Sequence, residues 1–496
     1  MSKEYKRIIQ ENIHNTIDYG FIPELGKHKS GKVRDIHFTS DKVGSPIIMV
    51  ASDRVSAFDY VLGRSIPFKG RILNMFNEWA FENPMYIIPN ASVESPHPNV
   101  IVQKFYKNIM VECVVRGYVW GSLAGEYEKG NRQICGVKLE NGLLRYQKLD
   151  NAIFTPTTKS KHDEPMTFED VEKQLGKELA RKVKDVSLKL YQRGAQLAEK
   201  SGLIFIDTKY EFGTDERGNL FLIDESNTPD SSRYCSIEEY RKFELIKKEM
   251  ATGRYKNVSE LLKEKPQLKI KELSKQFVRD VLTEKGFSYG STGKIPELSD
   301  EDVVEVSYRY IKLYESLTGK TFRFPTANAK LEVISNLQNV GYIKGGIAVI
   351  MAGSYSDKPH IDKIQEELNK YGIPSKVRIC SAHKQPALCE KIIREYNGSL
   401  EPVVIIAVAG GTDALSGVAA FHSVHPVISC PPNPEEYISC IRNPPGSSNS
   451  LILKPSNAAR HVAQILGYHN ANISNMILKK NAEKIDKLKK ADKELN

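Results

Sequence analysis

At 496 residues the chain exceeds one ordinary hydrophobic core and implies two or more domains. Its formal charge of +10 suits anionic small substrates, and the scattered basic residues form no stripe interleaved with aromatics, which argues against nucleic-acid binding. Seven cysteines, at 113, 135, 235, 380, 389, 430 and 440, form no CxxC pair, so a reduced, cytoplasmic protein without a disulfide framework is expected.

In chain order, the opening MSKEYKRIIQ has no apolar h-region, and no apolar run reaches the length of a membrane span; a soluble, unprocessed chain with no membrane partner is expected. The most informative stretch is IDTKYEFGTDERGNLFLIDESNTPDSSRY, residues 206–234. Strand alternation puts Asp207, Lys209 and Glu211 on one side, where an ordinary strand would bury apolar residues. TDERGN supplies a turn, and LFLI returns the chain to Asp224 and Glu225, giving a hairpin with an acidic, polar face. Hard cations such as magnesium take one or two carboxylates plus substrate phosphates, so Glu211 and Asp224 are candidate metal ligands in a nucleotide site. The rival reading is a solvated hairpin with charge on its wet side; the TPDSSR continuation at 228–233 favours the site.

Residues 236–322 are charged, with apolar residues at helical spacing. From Gly345 the texture changes to short unbroken apolar runs, IAVIMA (347–352), PVVIIAVA (402–409) and HPVISC (425–430), each followed by glycine, serine or proline. Such runs suit a parallel sheet covered by helices, with 359–372 as a crossover helix and 323–344 as the linker between domains. Three polar loops, GSYSD (353–357), SAHKQP (381–386) and AGGTDALSG (409–417), would gather at one sheet edge, where open α/β sheets bind ligands. A lone GSxSD is equally a helix cap. The lysine-rich tail, 471–496, carries Ile485, Leu488, Ala491 and Leu495 at helical spacing, a seam that needs a partner surface. Its Glu483/Lys487 and Asp486/Lys490 spacings read as helix ion pairs rather than a nucleic-acid arm.

DTKYEFG followed by DExxTPDSSRY resembles the phosphoribosylaminoimidazole-succinocarboxamide (SAICAR) synthetase family, as do SGKVRD (30–35), SDRVSAFD (52–59), PFKG (67–70), VECVVRGYVWGS (111–122), FTPTTKSKHDE (154–164) and SKQFVRD (274–280), in that order. The loops of the second half resemble phosphoribosylaminoimidazole (AIR) carboxylase, together with SCPP (429–432) and PPGSSNSLILKPSNAARHVAQILG (444–467). SAHK and CPP are similar to the animal-type branch that uses free carbon dioxide. That branch tends to carry Gly-Arg-Ser-Asn where this chain has Gly410, Gly411, Thr412 and Asp413, which loses a cation and gains an acid.

The resemblance implies an animal-type fusion: an α+β SAICAR-synthetase fold over 1–322, the linker, a three-layer flavodoxin-like α/β domain over 345–470, and a helical tail over 471–496 for oligomer packing. It implies a bifunctional purine-pathway enzyme. The C-terminal domain would carboxylate AIR with CO2 to the carboxylated ribotide CAIR, and the N-terminal domain would ligate CAIR to L-aspartate with ATP. Implied cofactors are ATP and Mg2+, with no biotin. Gly31, Lys32, Arg34, Glu112 and Lys209 would hold ATP, Lys209 also acting in catalysis, and Glu211 and Asp224 the metal. Arg116 and Ser122 would hold the ribotide phosphate, and Ser56, Asp59, Asp230, Ser231 and Arg233 the imidazole or aspartate. In the second domain His383 would be the base and Lys384 its cationic neighbour, while Ser354, Ser356, Asp357, Ser381 and Gly410 would bind the ribotide. Rival readings for that domain are a mutase acting on a carboxyamino intermediate and a catalytically silent scaffold. The carboxylase family also implies a homo-octamer.

Overall fold

The computed structural model describes residues 2–58, 60–82, 87–160, 163–273, 276–288, 290–291, 293–433, 435 and 437–495, and the chain divides into two compact units. The first comprises residues 1–18 and 30–326, and the second 19–29 and 327–496.

The first unit is α+β. Strands Arg34–Phe38, Pro46–Ala51, Val100–Lys104 and Ser92–His97 pair antiparallel in that spatial order. A second, seven-stranded sheet is built around the long strand Leu203–Thr214, which pairs antiparallel with Val111–Tyr118, Leu220–Ile223 and Ser232–Ser236. The TDERGN turn and the return strand are as read from the sequence, with Glu211 opposite Ile223. Helix Lys177–Lys200 covers this sheet through Val183, Leu190 and Tyr191, whose hydroxyl donates to the Phe205 carbonyl (2.7 Å). The charged region after residue 236 is helical as expected. Its longest helix, Asp300–Thr318, starts at a Ser299/Asp302 capping box and ends at Gly319 in the left-handed conformation. It buries Tyr310, Ile311 and Leu313, and helix Ser2–Glu11 lies against it.

The second unit is three-layer α/β. Strands Ser375–Ile379, Ile347–Ala352, Val403–Val408, Val427–Ser429 and Ser450–Leu451 form one wholly parallel sheet in that order. Alternation explains the unbroken apolar runs. Ala348, Ile350 and Ala352 join a core with helices Lys358–Asn369 and Pro455–Gly467, while Ile347, Val349 and Met351 join another with helices Pro386–Asn397 and Leu415–His422. The tail is a helix, Ala471–Leu495, buried at Ile473, whereas Leu478, Ile485, Leu488 and Leu495 are exposed. No helix among the described residues is long and apolar enough to cross a membrane.

Two boundaries differ from the sequence reading. The stretch 323–344 is not a plain linker: Asn328 caps helix Ala329–Asn339, which buries Val333, Ile334 and Leu337. Residues 19–29, assigned above to the first domain, group with the second unit. Phe21 enters its apolar core, and its carbonyl accepts from the Leu400 amide (2.8 Å). Glu24 donates its amide to Glu401 Oε1 (2.7 Å) and accepts from the Lys344 amide (2.6 Å).

Candidate functional sites

In the first unit the long strand delivers its charged face as alternation requires. Glu211 is buried, pairs with Lys159, and accepts from Asn108 Nδ2 (3.2 Å). Asp224, at the end of the return strand, pairs with Arg34 Nη1 (3.0 Å), whose other nitrogen meets Glu225 (2.9 Å). Burial and the like charge of Asp224 push the Glu211 carboxyl up. Burial opposes ionisation of Asp224 too, but Arg34, Lys159 and Lys209 hold its carboxyl below the usual range. Lys209 stands between Glu112 (2.5 Å) and Glu211 (3.9 Å), and these two carboxylates keep it charged against the effect of burial. Thr157, on a neighbouring strand, donates to the other Glu112 oxygen (3.3 Å). The result is a cluster at the end of the sheet in which four carboxylates are interleaved with three cations.

Beside it, the loop at Gly31 is fastened rather than loose. Arg54 donates to the carbonyls of Gly31 (2.9 Å) and Lys32 (3.2 Å) and pairs with Asp35 (2.9 Å), while the Lys32 side chain is exposed. Arg34 is buried in its pairs with Asp224 and Glu225, so it supports the carboxylate cluster from below the loop.

A second cluster lies farther along the same strands. Asp207 faces Arg116 in the sheet register and bridges two guanidiniums, accepting from Arg116 Nη1 (3.2 Å) and Arg233 Nε (2.8 Å). Arg116 also donates to Thr155 Oγ1 (3.0 Å) and, at the surface, to Ser122 Oγ (3.3 Å). A side chain at Gly121 would collide with Arg233, its ideal Cβ falling 2.0 Å from Nη1, so glycine lets the helix start close against the arginine. Burial lowers the Arg116 pKa, with Asp207 opposing that effect.

Arg233 is thus brought to Arg116, not to Asp230. Both Asp230 oxygens are engaged, by the buried Lys69 (2.8 Å) and by the Tyr310 hydroxyl (2.7 Å). Ser231 donates to the Thr228 carbonyl (3.4 Å) in the same loop, and Ser56 is buried in a two-residue strand against Val61. Asp59 lies outside the described residues. Lys159, Arg54, Lys69 and Asp207 were missing from the candidate set. The first three lie inside quoted blocks, and Asp207 on the alternating strand itself, so each carried a signal.

In the second unit the three polar loops meet as expected at the C-terminal edge of the parallel sheet. They enclose a cavity of about 460 Å³ lined by Ser354, Ser356, Asp357, Ser381, His383 and Gly410 among others. Ser354 Oγ accepts from the Ser356 amide (3.2 Å) and hydroxyl (2.8 Å) ahead of helix Lys358–Asn369. Burial raises the Asp357 carboxyl, with His360 opposing. Gly410 lies so close to Asp357 that its ideal Cβ would stand 3.0 Å from Oδ1. Lys384 is exposed and is absent from the cavity lining; its amide donates to Ser381 Oγ (3.3 Å). The acid gained at position 413 does not enter the cavity. Asp413 is buried, accepting from Ser429 Oγ (2.7 Å) and the Ser416 amide (2.8 Å), and so braces the loop from behind.

Comparison with known proteins agrees with both halves. Residues 27–269 match the SAICAR synthetase family, and residues 347–487 match the AIR carboxylase family. The phosphoribosylaminoimidazole-succinocarboxamide synthase of Cytophaga hutchinsonii is 39% identical over 315 residues, covering 62% of this chain and 93% of the relative. That of Flavobacterium psychrophilum is 38% identical over 341 residues, covering 66% and 99%. The solved SAICAR-synthase from Saccharomyces cerevisiae, complexed with SAICAR, is 29% identical with a TM-score of 0.52, covering 62% of this chain and all of that one. With two site-bearing units in this order, the chain belongs to the phosphoribosylaminoimidazole-succinocarboxamide synthase family and carries an AIR carboxylase domain behind that synthase domain.

Proposed function

We propose that the chain runs two successive steps of purine biosynthesis. The second unit adds CO2 to AIR, and the first joins the resulting CAIR to aspartate at the expense of ATP. The observation that carries the first step is the carboxylate and cation surface around Glu211, Asp224 and Lys209, flanked by the Arg116/Ser122/Arg233 cluster.

Glu211 and Asp224 fit a divalent cation: two acid groups feel each other's charge, and a lysine ammonium already neutralises one of them. The Glu211 and Asp224 carboxylates would hold Mg2+, which would supply positive charge to offset that of the nucleotide phosphates. Lys209, held charged by Glu112 and Glu211, would stabilise charge on a transferring phosphoryl group, and Gly31 and Lys32 would cover the phosphates. Transfer of the γ-phosphoryl to the CAIR carboxylate leaves ADP. The aspartate amine then attacks the acyl carbon, forming the C–N bond as phosphate departs. Arg116 and Ser122 would grip the ribotide phosphate through their exposed edge, as a guanidinium suits phosphate geometry. Asp230, with both oxygens engaged, would act on substrate through the loop it holds, to which Ser231 belongs; Ser56 and Asp59 would complete the imidazole and aspartate pocket.

In the second unit the ring carbon of AIR attacks CO2 and the proton leaving that carbon passes to His383, which lines the cavity. Ser354, Ser356, Asp357, Ser381 and Gly410 would hold the ribotide, and Lys384 would supply positive charge at its rim. Exposed apolar residues on this unit, including Phe421, Val424, Ile441 and Tyr468, support homo-oligomerisation, and an octamer is the proposed assembly. The carboxyl source is tested by supplying AIR with labelled bicarbonate and no ATP. Labelled CAIR supports CO2 addition, and turnover of a supplied carboxyamino ribotide alone would support the mutase.

A further inference from the structure

We propose that Asn77 and Gln103 are positioning residues for ligation, clamping the backbone of Asp224 in a left-handed conformation and so setting where its carboxylate stands. The proposal rests on Asp224 acting as a metal ligand. Along Leu220–Ile223 the side chains alternate: Leu220 and Leu222 are buried in the apolar core, and Phe221 and Ile223 are half-buried. Continued in register, Asp224 would follow Leu222 into that core. Its φ is instead +62°, in the left-handed region that residues with a side chain seldom adopt, and the turn delivers the carboxylate to Arg34.

Two buried amides hold this backbone from outside its own sheet. Gln103, on strand Val100–Lys104, accepts from the Asp224 amide (3.2 Å) and donates to the Asp224 carbonyl (2.9 Å). Asn77, on helix Lys69–Glu82, donates to the same carbonyl (3.0 Å) and accepts from the Ser226 amide (2.9 Å). Each side chain therefore gives and takes one hydrogen bond, which fixes its amide orientation. Asn77 is 0% and Gln103 1% exposed. A buried amide deprived of its partners is destabilising, so clamp and turn stabilise each other. Neither has a hydrogen bond to the Asp224 carboxylate; they act on it through the main chain alone.

The test uses the full-length protein and two variants. Gln103→Glu keeps the acceptor for the Asp224 amide but loses the donor to its carbonyl, and Asn77→Ala removes the second donor. Mn2+ held by enzyme with a non-hydrolysable ATP analogue is titrated by electron paramagnetic resonance, beside the Mg2+ dependence of ligation. Loss of one such hydrogen bond should weaken Mn2+ binding about tenfold in each variant. Half-saturation of ligation should move to correspondingly higher Mg2+, with kcat largely regained at saturation and carboxylation unchanged. A lower melting temperature with wild-type Mn2+ affinity in the folded protein overturns the clamp. Asp224→Asn in the same titration separates the layers. If it keeps wild-type Mn2+ binding, the metal reading fails and the clamp with it. If it loses binding while Gln103→Glu and Asn77→Ala retain it, the metal reading stands and the clamp alone is wrong.

Discussion

Arg116→Lys should impair use of CAIR by the first unit without comparable loss of turnover. Arginine at this position directs three nitrogens to three places: Nε to Thr155, Nη1 to Asp207 and Nη2 to Ser122 at the surface. A lysine ammonium is a single point charge, and a position opposite Asp207 in the register will take it to that carboxylate. The Ser122 edge, where the ribotide phosphate is proposed to lie, then loses its cationic donor. A charge-assisted hydrogen bond contributes about 1.5–3 kcal/mol, and each 1.4 kcal/mol is a factor of ten, so KM for CAIR should rise about ten- to a hundredfold. The retained positive charge near Asp207 avoids leaving that buried carboxylate unpaired, so the fold should survive. Steady-state ligation with varied CAIR at saturating ATP and aspartate reads this directly. A KM within twofold of wild type, or a pure kcat defect, would refute the assignment of Arg116 to phosphate.

His383→Asn should abolish CAIR formation while sparing ligation of supplied CAIR, because asparagine cannot shuttle a proton at neutral pH; carboxylation at the wild-type rate would put the base elsewhere. Glu401→Gln should stabilise the second unit at neutral and alkaline pH. Glu401 is buried against Glu24, and burial raises both carboxyls, with Lys344 and Lys376 opposing for Glu24 and Glu401 respectively. A raised native pKa means stability is present below the unfolded value and lost as pH rises through the native one, so the wild type should soften above the ordinary carboxylate range. Glutamine removes the buried charge and supplies a fixed N–H, a gain of about 1–3 kcal/mol, and melting curves with identical pH dependence in both proteins would contradict this. Deleting residues 471–496 should lower the oligomeric state and weaken carboxylation more than ligation, since the tail leaves Ile485 and Leu488 exposed; light scattering showing an unchanged assembly with unchanged carboxylation would make it a solvated appendage.

Local periodicity made the larger features legible. Alternation at Asp207, Lys209 and Glu211 announced the acidic strand face, and unbroken runs such as Ile347–Ala352 announced strands buried on both sides. Loops that follow parallel strands must share an edge, which is why Ser354, His383 and Gly410 could be grouped from sequence. Tertiary partners were not legible. Lys159 meets Glu211 across 52 residues, and nothing local assigns that pair. Asp413 reads from sequence only as an acid gained in a candidate ligand loop, and its direction is set by Ser429 and Ser416 behind that loop. Helix Ala329–Asn339 could have been found, because Asn328 is a good cap and Val333, Ile334 and Leu337 keep helical spacing. The placement of residues 19–29 could not: GFIPELG is too short to show a period, and Phe21 meets its core through residues as distant in sequence as Tyr396 and Leu400.

The central claim is that one chain performs carboxylation and then ligation at two separate sites. Its most direct measurement is mass analysis of products after the whole protein is incubated with AIR, bicarbonate, aspartate and Mg-ATP, omitting one component at a time. The full mixture should yield SAICAR, omission of aspartate or ATP should stop at CAIR, and omission of bicarbonate should leave AIR unconverted. SAICAR formed only when CAIR is supplied from outside, with AIR untouched in the full mixture, would contradict the account and leave the second unit a silent scaffold.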